Sequence, residues 1–198
     1  MKELEYPFDA AYIIKKRKSL KKALLADGTS RIRKKIAVFG GSTTSDIVKT
    51  LELFLLDAGI EPEFYESEYA QYFQDAMFPD ETLLSFKPDI VFIHTTNRNV
   101  TDWPEMTDTT EQIDEKLHTE INRFTAMWKS IAEKFHCPII QNNFEMPLYR
   151  LLGSRDAWDI HGRTNFLTRL NEAFYAYARE NESFYICLLY TSDAADDL

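Results

Sequence analysis

The chain has 198 residues, of which 44% are hydrophobic and 28% charged, and its formal net charge is −9. This apolar content is sufficient for one domain with its own core, and it argues against disorder over most of the length. Two cysteines are too few for a disulfide framework, no metal-ligand spacing occurs, and the acidic N-terminus lacks the apolar region of a signal peptide. We therefore expect a cytoplasmic protein without a membrane span.

A basic helix is predicted at the N-terminus over residues 9–26, ended by Asp27-Gly28. Its apolar stripe is formed by Ile13, Leu20 and Leu24. Residues 13–35 contain ten Lys or Arg and one acid, which indicates either a docking arm or a solvated helix face. Because the whole chain is acidic, a nucleic-acid partner is not expected.

Apolar runs and helical periods alternate through the rest of the chain. The predicted strands are 35–39, 61–66, 90–94, 138–141 and 183–186, and apolar residues at helical spacing predict helices over 47–58, 111–135 and 166–177. Such alternation implies parallel strands with right-handed crossovers, and the continuous apolar runs imply strands covered on both faces. The expected fold is a doubly wound, flavodoxin-like α/β sheet of about five strands.

The loop after the first predicted strand carries the strongest candidate site. In such sheets ligands bind beyond the carboxyl ends of the strands. Two glycines, Gly40 and Gly41, allow a tight turn there, and Ser42 would lie at the strand-to-helix corner. That position suits either a serine nucleophile or a plain anion site facing the N–H groups of the following turn. A helix cap formed by Ser42, Thr43 and Thr44 is the structural alternative.

Two other loops supply candidate oxyanion donors. These are the Ala70 N–H after the second strand and the Asn97 carboxamide after the third, although Asn97 is equally well explained as a turn residue. Losing one such donor typically costs about 100-fold in rate. The further candidate ligand-binding residues are Gly40, Gly41, Thr43, Thr44, Asn99 and Asn142. Asp159 and His161 form an acid–histidine pair, but they precede the last predicted helix and strand.

Taken in order, these motifs carry a resemblance to a known family. The matching blocks are Gly40–Thr44, Leu53–Leu56, Tyr65–Tyr72, Phe86–Asp89 and His94–Asn99. They resemble the SGNH-hydrolase-like N-terminal domain of FkbH-like proteins, which belong to the HAD-IIIC phosphatase-like family. The resemblance covers roughly residues 1–186, and it departs from the usual pattern at Gly40-Gly41-Ser42, where the family has Gly-Asp-Ser.

The resemblance implies an SGNH-like fold in which Ser42 is the nucleophile and Ala70 and Asn97 are oxyanion donors. The family's phosphoryl chemistry lies in a C-terminal HAD domain with an Asp-x-Asp-x-Thr motif and Mg²⁺; that motif is absent from this sequence. We therefore expect no cofactor in this chain, and no activity from it alone. The resemblance implies that this chain binds a small acyl or phosphate-bearing ligand or an acyl carrier protein. The whole FkbH-like protein would then act in phosphoryl or acyl transfer, of the glyceryl type, to a carrier protein. The alternatives are a serine acyl hydrolase and a non-catalytic docking domain.

The last residues resemble something other than a protein. Residues 187–196 match the translation of a transposase adapter used in sequencing libraries. We therefore divide the chain into an N-terminal helical extension (1–34), an SGNH-like domain (35–186) and an artefactual tail (187–198). The SGNH catalytic His and Asp follow the fifth strand, so we expect any base for Ser42 to lie beyond Ile186.

Overall fold

The structure, a computed structural model, describes residues 1–189; the predicted tail therefore lies outside the described residues from position 190 onward. Five strands form one all-parallel sheet, which confirms the predicted fold class. They are β1 (Ile32–Gly40), β2 (Ile60–Glu66), β3 (Ile90–His94), β4 (Ile139–Asn142) and β5 (Phe184–Cys187). The helices are α1 (Ala10–Ala26), α2 (Ser45–Asp57), α3 (Tyr72–Met77), α4 (Glu81–Phe86), α5 (Thr110–Phe135) and α6 (Arg163–Glu180).

The strand order β2-β1-β3-β4-β5 reverses the direction of the chain after β2. With right-handed crossovers, α2 therefore lies on one face of the sheet, while α3 to α6 lie on the other. The carboxyl ends of β1 and β3 flank this reversal, which is the position at which doubly wound proteins bind ligands.

The main core lies between the sheet and the helices α3 to α6. Trp128 of α5 is its centre, with ring centroids 4.7 Å from Phe174 of α6 and 4.5 Å from Phe184 of β5. Aromatic pairs at such distances contribute about 0.5–1.5 kcal/mol each beyond their burial. This contact explains the helical spacing of apolar residues predicted over 111–135, because the apolar stripe of α5 faces the sheet.

A second, smaller core joins the N-terminal helix to α2. It contains Ile13, Leu20 and Leu24 of α1, packed against Leu53 and Leu56 of α2. Some of the basic residues of α1 are paired: Arg17 bonds Asp46 at 3.0 Å and Lys21 bonds Glu52 at 2.7 Å. The N-terminal segment is thus packed on the α/β unit through α2.

Two features differ from the expectation from sequence. The short helices α3 and α4 were not predicted, because six residues hold too little of a helical period to be recognised. The strands were expected to be covered on both faces, yet among residues 1–189 only α2 covers the second face, beside β1 and β2.

No helix in this part of the chain is long and apolar enough to cross a bilayer.

Candidate functional site

The candidate site lies at the reversal point of the sheet. Gly40, the last residue of β1, is in register with His94, the last residue of β3, and the Gly41 N–H donates to the His94 carbonyl at 2.8 Å. The loops carrying Ser42 and Asn97 therefore leave the sheet side by side. The loop carrying Ala70 follows β2, the other neighbour of β1.

Close packing explains both glycines of the first loop. A Cβ atom on Gly41 would lie 2.4 Å from Asn99 Oδ1, and one on Gly40 would lie 2.7 Å from Thr44 Cγ2 and 2.8 Å from the Ser42 carbonyl oxygen. No side chain fits at either position without movement of the loop. The glycines thus let the loop after β3 approach the loop after β1 directly.

Ser42 and Thr43 are the open residues of the first loop. Ser42 is half-buried and Thr43 exposed, and within residues 1–189 neither their hydroxyls nor their backbone N–H groups have a hydrogen-bond partner. Thr44 occupies the N-cap position of α2 but makes no side-chain cap bond. Its buried hydroxyl donates to Glu66 Oε1 at 2.6 Å instead, which ties the loop to the end of β2.

The loop after β3 forms a single 3₁₀ turn over Asn97–Asn99. Asn99 closes this turn by accepting a hydrogen bond from the Thr96 N–H at 2.8 Å, and its Nδ2 donates to the Gly41 carbonyl at 2.9 Å. Asn99 is therefore a tether between the two loops. The Asn97 N–H donates to the Glu145 carboxylate at 3.1 Å. The Asn97 carboxamide has no hydrogen-bond partner among the described residues.

Ala70 is in an unusual backbone conformation. Its φ is +60°, in the left-handed region that residues with a Cβ rarely adopt, and the residue is exposed. Nearby, the Ser67 hydroxyl donates to Asp75 Oδ2 at 2.6 Å and so fixes the loop to α3. The Ala70 N–H has no partner among residues 1–189. Strained backbone of this kind is concentrated at functional sites.

Asn142, by contrast, lies inside a buried polar network. It is fully buried; its Oδ1 accepts from the Thr95 N–H at 2.8 Å, and its Nδ2 donates to the Thr95 and Asn143 carbonyls at 2.7 and 2.6 Å. These bonds use both N–H donors of the carboxamide and one of the two acceptor sites on its oxygen. Gln141 extends the network to Trp128 Nε1 at 3.2 Å. Asn142 thus holds β4 to the loop after β3.

No general base contacts Ser42 in the described part of the chain. The His161 ring is held by Asp159 Oδ1 at 2.9 Å and by the Asp108 carbonyl at 3.1 Å, so both of its nitrogens are engaged. His94 points into an apolar groove beside α2, and burial lowers its pKa. Without a base, a serine is a weak nucleophile at neutral pH. The described residues also contain no group of three His, Cys, Asp or Glu side chains suited to a metal ion.

The comparisons with known proteins bear on the fold. No family model matches the chain, and no curated protein is significantly similar in sequence. The chain is similar in structure to the N-terminal part of protein BF1531 from Bacteroides fragilis, containing a phosphatase domain complexed with Mg, with a TM-score of 0.70 and 20% identity. That match covers 87% of this chain and 45% of the other, so this chain spans less than half of the solved protein.

A second similar structure is a protein named as an acylhydrolase, BF3764 of Bacteroides fragilis. Its TM-score is 0.48 at 17% identity, over 94% of this chain and 82% of that one. At this TM-score it adds nothing to the fold assignment. The first match, at 20% identity, shows a shared fold, in agreement with the five-stranded parallel sheet.

Two supporting residues of the site were not foreseen from sequence. Glu145 follows β4 and reaches back to the Asn97 N–H, while Arg123 of α5 donates to the Asn99 carbonyl at 2.8 Å and the Tyr72 hydroxyl at 2.9 Å. Arg123 is also paired with the buried Glu120 at 2.8 Å. A charged pair at i, i+3 within an amphipathic helix was the available signal, but it is common on solvated faces as well.

Proposed function

We propose that this chain is the SGNH-like N-terminal domain of a FkbH-like protein. In this proposal it binds a small acyl or phosphate-bearing ligand, free or carried by an acyl carrier protein, at Ser42, Ala70 and Asn97. Two independent likenesses support the assignment: the ordered motifs of the sequence, and the shared fold with the N-terminal part of a protein that contains a phosphatase domain.

One observation carries the binding proposal: a set of donors without partners at the reversal point of the sheet. The N–H groups of Ser42 and Thr43 precede α2, a helix of 13 residues whose N-terminus favours negative charge. The Asn97 carboxamide and the Ala70 N–H come from the two flanking loops. Hydrogen-bond donors of this kind are suited to the oxygens of a phosphate, a carboxylate or a polarised acyl group.

The same loops show which candidate residues support the site rather than contact its ligand. The Thr44 hydroxyl donates to the Glu66 carboxylate, and the carboxamide oxygens of Asn99 and Asn142 each accept from a backbone N–H group. We assign these three residues to positioning. Gly40 and Gly41 act through the absence of a side chain, since each allows a contact that a Cβ would prevent.

By the same resemblance, phosphoryl transfer and its Mg²⁺ belong to a C-terminal HAD domain of the parent protein, which would act in acyl or phosphoryl transfer to a carrier. The donor set of the candidate site is neutral hydroxyl, amide and N–H, which does not suit Mg²⁺, an ion that prefers carboxylate and phosphate oxygens. No step of the proposal uses a metal in this domain.

The test is a titration of the ¹⁵N-labelled protein with inorganic phosphate and with acetyl phosphate. We expect chemical-shift changes at Ser42, Thr43 and Ala70, and Asn97→Ala should weaken binding about tenfold, as expected for one charge-assisted hydrogen bond. Asn122→Ala, on the exposed face of α5, is the matched control and should leave affinity unchanged. Tighter binding of acetyl phosphate than of phosphate would identify an acyl phosphate; equal binding would identify a plain anion site. Unchanged affinity in Asn97→Ala would count against the site.

A serine acyl hydrolase is the second candidate, favoured by the unpartnered Ser42 hydroxyl next to unpartnered N–H groups. Since the described residues supply no base, turnover of p-nitrophenyl acetate by this chain should be the same in wild type and Ser42→Ala. Serine-dependent turnover by the 198-residue protein would favour the hydrolase over the binding domain.

A further inference from the structure

The outer face of α1 carries a local excess of positive charge on an otherwise acidic protein. The helix contains six Lys or Arg and no acidic residue, whereas the formal net charge of the chain is −9. Among residues 1–189, the ion pairs of these side chains involve only Arg17 and Lys21. The other lysines of α1 are exposed and have no carboxylate partner in the described part of the chain: Lys15, Lys16, Lys18 and Lys22.

The unpaired lysines are unfavourable for the helix itself. Lys15, Lys18 and Lys22 follow one another at spacings of three and four residues, so they lie on one face of α1. Like charges at this spacing destabilise a helix, and α1 has no acidic residue to offset them. Carboxylates of a bound partner would remove this repulsion, which indicates an acidic ligand for this face.

Two large apolar side chains are exposed on the same side of the helix. Ile14 is 60% exposed and Leu25 is 52% exposed. They are separated by eleven residues, or three turns, and therefore lie on one side of α1 at a distance of about 16 Å along its axis. Side chains of this size favour binding when a partner removes them from water. The face thus combines apolar anchors with a row of positive charge.

This face of α1 forms a groove with α2. A cavity of about 630 Å³ is lined by residues that include Ile14, Lys18 and Lys21 of α1 and Lys49 of α2. A second cavity, of about 360 Å³, also contacts Lys18 and Lys21 and extends along α1 to Leu25. Together they make one depression, the α1 groove, from Ile14 to Leu25. An α-helix of about eleven residues has the same length.

The packing of α1 distinguishes a protein partner from a membrane or a nucleic acid. A helix that binds a bilayer buries its apolar face among the lipids. In α1 that face is already packed against α2, through Ile13, Leu20 and Leu24. A nucleic acid is disfavoured by the acidic chain, and its phosphates would leave the two aliphatic anchors without a contact. An amphipathic helix of a protein can present carboxylates and apolar side chains together.

We propose that the α1 groove docks an acidic amphipathic helix of a partner protein. The apolar side chains of that helix would contact Ile14 and Leu25. Its carboxylates would pair with Lys18, Lys22 and Lys49, each of which is exposed.

The α1 groove lies beside the candidate site. Arg17 lines the groove and bonds Asp46 in the first turn of α2, the helix that follows the Ser42 loop. A partner helix in the groove would therefore lie next to that loop. The two sites share no residue, so the docking proposal does not rest on the ligand proposed for Ser42.

The test is a titration of the ¹⁵N-labelled 198-residue protein with a synthetic peptide of about 15 residues. The peptide carries Leu at i, i+4, i+7 and i+11 with Glu beside them, and a control peptide has the same composition in an order without a helical period. We expect chemical-shift changes along α1 and at Lys49, and binding of the control peptide at least about tenfold weaker. Raising the salt from about 0.1 M to 1 M should weaken binding, because it shortens the Debye length from about 10 Å to 3 Å.

Four variants separate the roles of charge and apolar contact. Lys18→Glu should weaken binding at least about tenfold, since it replaces attraction by repulsion. This variant should still fold, because the new carboxylate lies four residues before Lys22, a favourable pair in a helix. Lys129→Glu, the same change at an exposed position of α5, is the matched control and should bind as wild type does. Leu25→Ser should also weaken binding, whereas Leu84→Ser, at a similarly exposed position of α4, should not.

Three outcomes would overturn the proposal. The first is the absence of shift changes in α1, or equal affinity of wild type and Lys18→Glu for the peptide. The second is equal affinity for the two peptides, which would show attraction between charges without a fitted groove. The third is Lys18-dependent binding of phosphatidylserine vesicles or of single-stranded DNA that is tighter than binding of the peptide. That result would assign the surface to a membrane or to a nucleic acid.

Discussion

Asn99 Nδ2 donates a hydrogen bond to the Gly41 carbonyl at 2.9 Å and so joins the loop after β3 to the loop after β1. A Cβ atom on residue 41 would lie 2.4 Å from Oδ1 of the same carboxamide. The approach of the loop that carries Asn97 to the loop that carries Ser42 therefore depends on one side chain and on the absence of another. This relationship makes the geometry of the candidate site testable without knowledge of its ligand.

Gly41→Ala should destabilise the protein by about 1–3 kcal/mol, because the added methyl group overlaps the Asn99 carboxamide. Asn99→Ala should cost about 1–2 kcal/mol by removing the bonds to the Gly41 carbonyl and the Thr96 N–H. The double variant should lose less than the sum, since the methyl group then occupies the space that the carboxamide has left. Urea denaturation of the four proteins measures this coupling.

Asn97→Ala is the control for this cycle. The Asn97 side chain has no partner among residues 1–189, so its removal should change the free energy of unfolding by less than about 0.5 kcal/mol. Strict additivity of Gly41→Ala and Asn99→Ala would show that the two residues do not share the space described here.

The sequence was sufficient to predict the long elements of the fold. Strand 90–94 was predicted correctly at both ends, and helix 111–135 within one residue. A continuous apolar run and a helical spacing of apolar residues sustained over 25 residues are strong signals. β1 begins at Ile32, earlier than predicted, because its first four residues are exposed or half-buried and three of them are charged. The two short helices α3 and α4 carried too few periods to be recognised.

The position of the candidate residues relative to the strands could be predicted. Ser42, Ala70 and Asn97 were each expected after a strand, and the three strands concerned, β1, β2 and β3, are neighbours in the sheet. The residues that fix the loops could not be found in this way, because Glu145, Arg123 and Glu66 reach the site from distant positions of the chain. Asn142 was expected to bind a ligand, but the partners of its side chain in the fold are backbone groups of Thr95 and Asn143.

Two glycines in the segment between β4 and α6 should differ in how much replacement by Ala destabilises the protein. A Cβ on Gly162 would lie 2.1 Å from the Asp156 carbonyl oxygen, whereas one on Gly153 meets nothing within 4 Å. Gly162→Ala should therefore cost about 3 kcal/mol or more, since backbone must move. Gly153→Ala should cost about 1 kcal/mol, because residue 153 has φ +57°, in the left-handed region that disfavours a Cβ.

The larger loss at Gly162 has a structural consequence that can be measured separately. Asp156 Oδ2 accepts from the Thr164 N–H at 2.8 Å and caps α6. Displacing Asp156 should raise amide hydrogen exchange in the first turn of α6, near Thr164, while the rest of the helix stays protected. Equal costs for the two glycine variants would contradict the close contact.

His161 should titrate above the ordinary histidine range. Hydrogen bonding to the Asp159 carboxylate and to the Asp108 carbonyl raises the pKa of His161, because both partners are acceptors and favour the doubly protonated ring. The folded pKa exceeds the unfolded one, so this contribution to stability is present at low pH and is lost as pH rises through the folded pKa. NMR titration of the His161 ring in wild type and Asp159→Asn measures the shift, which should shrink in the variant. An unchanged pKa in Asp159→Asn would show that the carboxylate is not its cause.

His94 should act in the opposite sense. Burial against the apolar groove lowers the pKa of His94, so protonation is harder in the folded protein than in the unfolded chain. Stability should therefore fall as pH drops below the unfolded value of about 6.5, and the loss should continue until the folded pKa is passed. Urea denaturation of wild type and His94→Gln at pH 7.5 and 5.5 isolates this contribution, because the variant should lose the part of the pH dependence that His94 supplies. An equal pH dependence of stability in wild type and His94→Gln would show that His94 does not supply it.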